Sequence, residues 1–96
     1  MGIEEILGDK GEEILRIAGT HGVTSIRLFG SVARGDAGPE SDVDFLIEAG
    51  AGRTPWFPVG LIRDLEALLG RRVDVVSPNA LHWYITERVL EEAVGL

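Results

Sequence analysis

The sequence predicts an α/β fold, in which a small mixed β-sheet of about three strands packs against helices in the order αβαβαβα. Short segments with strand-like patterns alternate along the chain with segments whose apolar residues recur at helical spacing, and this alternation favours a sheet covered by helices. The link between the first two strands is short, so that pair can be antiparallel and the sheet mixed.

The first elements surround a glycine-rich turn. Apolar residues recur at helical spacing through residues 2–20, where two glycines weaken the middle, so one broken helix or two short helices are expected. Residues 25–29 alternate polar and apolar side chains, as a half-buried strand does, and Gly30-Ser31 then introduces a short helix. Residues 35–41 contain a Gly-Pro pair and are expected to form a loop.

The second strand and the longest helix follow this loop. The strand is expected over residues 42–48, and a connection with glycine and proline follows over residues 49–58. Trp56 and Phe57 are expected to anchor this loop on the core, and the alternative is a base-stacking wall or a lid. Residues 59–69 carry leucines and isoleucine along one helical face and predict a helix, which a glycine then ends.

A third strand and a closing helix complete the predicted elements. The β-branched run at residues 72–76 predicts the strand, and Asn79 is expected to cap a helix that reaches about Val94. The size and the 45% hydrophobic content fit one compact domain over residues 1–96.

Composition excludes several classes of protein and site. The chain has no cysteine, so disulfides, thiolate metal sites and cysteine nucleophiles are excluded, and any metal must be held by oxygen or imidazole ligands. Neither His21 nor His82 has a second ligand at regular spacing, which leaves carboxylates as the expected donors. No apolar run approaches the ~20 residues that cross a bilayer, and a cytoplasmic protein without membrane contact is expected.

The charge of the chain restricts its partners. The net charge of −7 argues against stand-alone binding of DNA or RNA, because such binding depends largely on Lys and Arg replacing phosphate counterions. Any bound phosphate would need a metal ion to offset the charge of the protein.

Gly30 and Ser31 are the candidate phosphate-binding residues. Gly30 permits close approach to the backbone, and Ser31 stands at the start of a helix, where unpaired N–H groups attract an anion. An ordinary strand–turn–helix junction explains the same pair without any ligand.

Three aspartates are the candidate catalytic and metal-binding residues. Asp42 and Asp44 are two apart on a strand, so both side chains project from one face, where Mg²⁺ would turn their repulsion into coordination. The alternative is a solvated turn residue at the strand entrance. Asp74 lies between valines in a strand that otherwise favours burial, and therefore requires either a function or a structural ion pair with an arginine such as Arg71 or Arg72.

These residues together resemble the signature of the polymerase β-type nucleotidyltransferase superfamily. The runs LFGSVARG at residues 28–35 and SDVDFLI at residues 41–47 carry the likeness, with ten residues between Gly-Ser and Asp-x-Asp, the spacing of the minimal nucleotidyltransferase branch. Asp74 within VDVV matches the third carboxylate of the family, and the likeness covers about residues 24–94.

The resemblance implies a role for each matched residue. Asp42 and Asp44 would bind two Mg²⁺ ions, and Gly30 with Ser31 would hold the triphosphate. Asp74 would bind the catalytic metal and accept the proton of the acceptor. Arg34 would contact the triphosphate, whereas a surface role is its alternative.

The resemblance also suggests a function. Chains of this size in the minimal branch are similar to antitoxins that adenylylate a tyrosine on a HEPN-type ribonuclease toxin, so the expected enzyme is a protein adenylyltransferase of a toxin–antitoxin system with ATP as donor. Two alternatives stay open: a module that neutralises its partner by binding alone, and a small-molecule nucleotidyltransferase acting as a homodimer or other homo-oligomer. No motif distinguishes the base of the nucleotide.

Overall fold

The described chain alternates helices with strands along most of its length. A computed structural model describes residues 1–50, 57–77 and 89–96. Residues 89–92 are also helical. The remaining elements are α1 (Ile3–Leu7), α2 (Gly11–Thr20), β1 (Val23–Phe29), α3 (Gly30–Arg34), β2 (Val43–Ala49), α4 (Val59–Leu69), β3 (Val73–Val76) and β4 (Val94–Gly95).

The strands form one mixed sheet in the order β3-β2-β1-β4. β1 pairs antiparallel with β2 and with β4, whereas β2 pairs parallel with β3. The predicted mixed α/β fold is therefore confirmed. The short strand β4 was not predicted, because the sequence analysis carried the closing helix to about Val94. Two residues paired with Arg27 and Leu28 of β1 are too few to show a strand-like pattern.

The helical segments follow the predicted spacing closely. The N-terminal segment is two short helices, separated near Gly8, whose φ of 56° lies in the left-handed region. α4 spans the predicted residues and buries Leu61, Leu65 and Leu69. It ends at Gly70, which has a φ of 66° and donates its N–H to the Glu66 carbonyl at 2.8 Å.

One face of the sheet and the helices α2 and α4 enclose the main core. Alternate residues of the strands point into it, as the pleat of a sheet requires. Phe57 packs against this core, in agreement with its predicted anchoring role. The fully buried side chains with the largest volumes are Phe45, Leu7, Ile14, Leu28, Leu46, Leu61, Leu65, Val32 and Val43.

Some predictions fall on residues outside the described ranges. Trp56, Asn79 and His82 are among them, as is most of the predicted closing helix. Within the described ranges, no helix has the length and apolar character needed to span a membrane.

Candidate active site

The turn between β1 and α3 brings backbone and carboxylate together. β1 ends at Phe29, and Gly30 follows with a φ of 75°, which favours glycine. A Cβ atom on Gly30 would collide with the Asp44 carboxylate. The sequence analysis expected close approach at this glycine, and the group that approaches in this structure is Asp44. Ser31, the second candidate phosphate-binding residue, follows directly in α3 and is partly exposed.

Asp44 and Asp74 lie side by side on neighbouring strands. They are register partners in the parallel pairing of β2 with β3, and Asp44 is also the register partner of Phe29 in β1. Register partners project from the same face of a sheet, so both carboxylates lie on the face opposite the main core. The two residues that the sequence assigned to separate strands are therefore brought together.

The electrostatic environment of Asp44 is unfavourable for its charge. Burial raises the pKa of this carboxyl above its ordinary value, and the negative charges of Asp74 and Asp42 raise it further. The positive charge of Arg34 acts in the opposite direction and lowers the pKa. Of the six predicted site residues, three therefore act electrostatically on a fourth: Asp74, Asp42 and Arg34 all affect the pKa of Asp44.

Asp42 directly precedes β2 and forms an ion pair with Arg72. Its Oδ1 lies 3.2 Å from Nε of Arg72, and the side chains are 45% and 82% exposed, respectively. In the parts of the chain that the structure describes, no group of three His, Cys, Asp or Glu side chains is arranged to hold a metal ion. Asp42, Asp44 and Asp74 nevertheless supply the hard oxygen donors that suit Mg²⁺, at one end of two adjacent strands.

The structure corrects the reasoning that singled out Asp74. The sequence analysis placed this residue in a strand that favours burial and required a buried partner or a function. Asp74 is exposed, because β3 lies at the edge of the sheet and Asp74 faces away from the core that buries Val73. Arg72 pairs with Asp42, and Arg71 donates hydrogen bonds to backbone carbonyls, so neither forms the ion pair with Asp74 that was the alternative.

Arg34 lies at the end of α3 with its guanidinium between two carboxylates. Its Nε is 3.4 Å from Oδ2 of Asp36, and its Nη1 is 3.4 Å from Oε2 of Glu92. The Arg34 side chain is 48% exposed, so an incoming anion can reach it. The sequence analysis did not identify Glu92 as a neighbour of the site, since no local pattern relates two residues so far apart in the chain.

The loop between α3 and β2 is held by contacts from distant parts of the chain. Arg71 donates from Nη1 to the carbonyls of Gly38 and Ser41, at 3.0 and 3.2 Å. The N–H of Ala37 donates to the Met1 carbonyl at 3.1 Å. These contacts position the loop that carries Asp42. A cavity of about 290 Å³ adjoins it, lined by Pro39, Glu40, Ser41, Gly70, Arg71 and Arg72.

His21 lies elsewhere and has a structural contact. Its Nε2 is 2.7 Å from Oδ2 of Asp64, a pairing that joins the end of α2 to α4. The imidazole is 15% exposed. This contact gives His21 a structural role between α2 and α4.

Comparison with known proteins identifies the family. The nucleotidyltransferase domain family matches residues 10–96, which is most of the chain. The chain belongs to this family. The resemblance found in the sequence is confirmed, and with it the assignment of the chain as a nucleotidyltransferase.

Individual members of the family are also similar to this nucleotidyltransferase. The protein adenylyltransferase MntA of Thermococcus cleftensis is 42% identical over 73 residues, which cover 76% of this chain and 74% of the relative. A solved structure provisionally described as a minimal nucleotidyltransferase matches with a TM-score of 0.86 and 43% identity, covering 100% of this chain and 97% of that one.

A toxin–antitoxin structure with AMP-PNP shares the fold at a TM-score of 0.73. The identity is 21%, and the match covers 88% of this chain and 70% of that chain. At this identity the likeness concerns the fold alone.

Proposed function

We propose that this nucleotidyltransferase moves AMP from ATP to a tyrosine hydroxyl of a HEPN-type toxin, in a reaction that depends on Mg²⁺. The observation that carries the proposal is the register pairing of Asp44 with Asp74 beside the Gly30 turn. Two adjacent carboxylates that repel each other, next to a helix start whose backbone N–H groups have no side-chain cap, form a site suited to cations and a polyphosphate.

Asp42, Asp44 and Asp74 would hold the metal ions, which when bound offset the charge of the triphosphate and stabilise departing pyrophosphate. Burial and the negative charges of Asp74 and Asp42 raise the pKa of Asp44, and a bound cation would offset the repulsion between these charges. The family assignment supports the proposed metal site.

The remaining site residues bind and orient the substrates. Gly30 and Ser31 contact the triphosphate from the turn, and Arg34 exchanges its contacts with Asp36 and Glu92 for phosphate oxygens. Asp74 is the most exposed of the three aspartates and accepts the proton of the attacking hydroxyl. The hydroxyl oxygen then forms a bond to the α-phosphorus as the bond to pyrophosphate breaks.

The relatives and the net charge of the chain support a protein as the acceptor. The relative from Thermococcus cleftensis is named a protein adenylyltransferase, and a toxin–antitoxin structure with AMP-PNP shares the fold. The net charge of −7 disfavours a nucleic acid as acceptor. A protein acceptor and an adenine nucleotide are consistent with these observations.

The proposal is tested with ATP labelled on the α-phosphate, Mg²⁺ and a purified HEPN-type toxin. Label should appear on a toxin tyrosine, and Asp44→Ala should abolish its transfer. Asp9→Ala is the matched control, because Asp9 is an exposed acidic residue between α1 and α2. Undiminished transfer by Asp44→Ala would refute the proposed mechanism. Full neutralisation of the toxin by that inactive variant would instead favour inhibition by binding alone.

A further inference from the structure

The ion pair between Asp42 and Arg72 is built into the sheet. Asp42 directly precedes β2, and Arg72 directly precedes β3, the strand parallel to it. The N–H of Val43 donates to the Arg72 carbonyl at 2.9 Å, which holds the two strand entrances together. The 3.2 Å contact between the Asp42 carboxylate and the Arg72 guanidinium therefore starts from a backbone that is already positioned.

The next register pair along the same strands has no such cation. Asp44 and Asp74 face each other across β2 and β3, and neither takes part in any ion pair among the described residues. Within residues 1–50, 57–77 and 89–96, Asp42 is the only one of the three aspartates that forms an ion pair with a guanidinium. This difference offers an explanation for why the described residues hold no ready group of three metal ligands.

We propose that Arg72 is a positioning residue that competes with the metal ion for Asp42. In the metal-free chain, Arg72 holds the Asp42 carboxylate away from Asp44 and Asp74, and metal binding requires that this ion pair open. The proposal rests on the proposed metal-dependent function. The adjoining cavity of about 290 Å³, which Arg72 itself lines, provides space for the released side chain.

The size of the effect follows from the exposure of the pair. The Arg72 side chain is 82% exposed and that of Asp42 is 45% exposed, so solvent screens their attraction strongly. The loss of an exposed ion pair of this kind changes an equilibrium constant by about 1.5- to 5-fold. Removing the guanidinium should therefore strengthen metal binding by about that factor.

The experiment titrates the full chain with Mn²⁺ and measures free Mn²⁺ by electron paramagnetic resonance. It compares wild type, Arg72→Gln, Asp42→Asn and the double variant, together with Asp44→Asn as the reference for the site. Arg63→Gln is the control for net charge, because Arg63 is exposed on α4, on the other side of the core. Because the Arg72 side chain is exposed, its replacement should leave the fold intact. Circular dichroism of the variant checks its secondary structure.

We expect Arg72→Gln to bind Mn²⁺ about 1.5- to 5-fold more tightly than wild type, and Arg63→Gln to bind like wild type. In the Asp42→Asn background, Arg72→Gln should make no difference, since the competing carboxylate charge is gone. Unchanged or weaker binding by Arg72→Gln overturns the proposal, as does an equal gain in both backgrounds. A wild type that binds no Mn²⁺, or an Asp44→Asn variant that binds as well as wild type, overturns the proposed function as well.

Discussion

Replacing Gly30 with alanine tests whether the backbone turn and the Asp44 carboxylate depend on each other. Gly30 has a φ of 75°, and a left-handed conformation costs a residue with a Cβ atom about 1–2 kcal/mol. The added methyl group would also collide with the Asp44 side chain, and forcing that side chain from its rotamer costs about 0.5–1.5 kcal/mol more. Together these terms predict a loss of about 2.5 kcal/mol in the free energy of unfolding.

Gly70→Ala is the matched control for backbone strain. Gly70 has a φ of 66°, and a Cβ atom there would meet no other atom within 4 Å. Its variant should therefore lose only the strain contribution, about 1–2 kcal/mol. The difference between the two variants isolates the collision with Asp44.

Thermal and denaturant unfolding measure both variants. For a domain of this size, a loss of about 2.5 kcal/mol corresponds to a decrease of roughly 10–20 °C in Tm. Transfer of AMP should fall about 100-fold in Gly30→Ala, because a shift of ~1 Å in a catalytic group has effects of that order. In an Asp44→Ala background, the extra loss of Gly30→Ala over Gly70→Ala should disappear. Equal losses in the wild-type background would refute the steric argument.

Three other substitutions have defined outcomes. Burial and the charges of Asp74 and Asp42 raise the pKa of Asp44 in the folded chain. The unfolded chain therefore loses this proton at a lower pH than the folded chain does, and the free energy of unfolding falls as the pH rises above the ordinary pKa of 3.8. Asp44→Asn should therefore unfold at higher denaturant concentration than wild type at neutral pH but not below pH 3.8, and a gain that persists at acid pH would contradict this cause. Arg34→Gln should raise the KM for ATP about tenfold through the loss of a charged phosphate contact, and an unchanged KM would place Arg34 outside the site. His21→Ala should lower the free energy of unfolding by about 1–2 kcal/mol through its contacts with Asp64 and α4, with the transfer rate per folded molecule unchanged; a loss of transfer would contradict its structural role.

Local patterns in the sequence were sufficient to predict the longer elements. The leucine spacing of α4 and the glycine after it identified residues 59–69, which are the bounds observed. The short link between β1 and β2 also allowed the antiparallel pairing that the structure shows. These features depend on neighbours in sequence, where periodicity is informative.

Features that depend on the pairing of distant residues were not predicted. The contact of Arg72 with Asp42 arises from the register of two strands whose entrances are thirty residues apart in the sequence. Asp74 was identified by its position between valines, but its exposure depends on the edge position of β3, which that local pattern does not reveal. The residue was selected through a premise about burial that the structure contradicts.

The parallel register of β2 and β3 also links the integrity of the site to folding itself. A slip of β3 by one residue would turn Val73 to solvent and direct Asp74 into the core, since successive side chains alternate between faces. An unpaired carboxylate buried in this way costs several kcal/mol, comparable with the whole stability of a domain of this size. Misaligned chains would therefore remain largely unfolded, and the population that reaches the native state consists of molecules whose carboxylates are already in register.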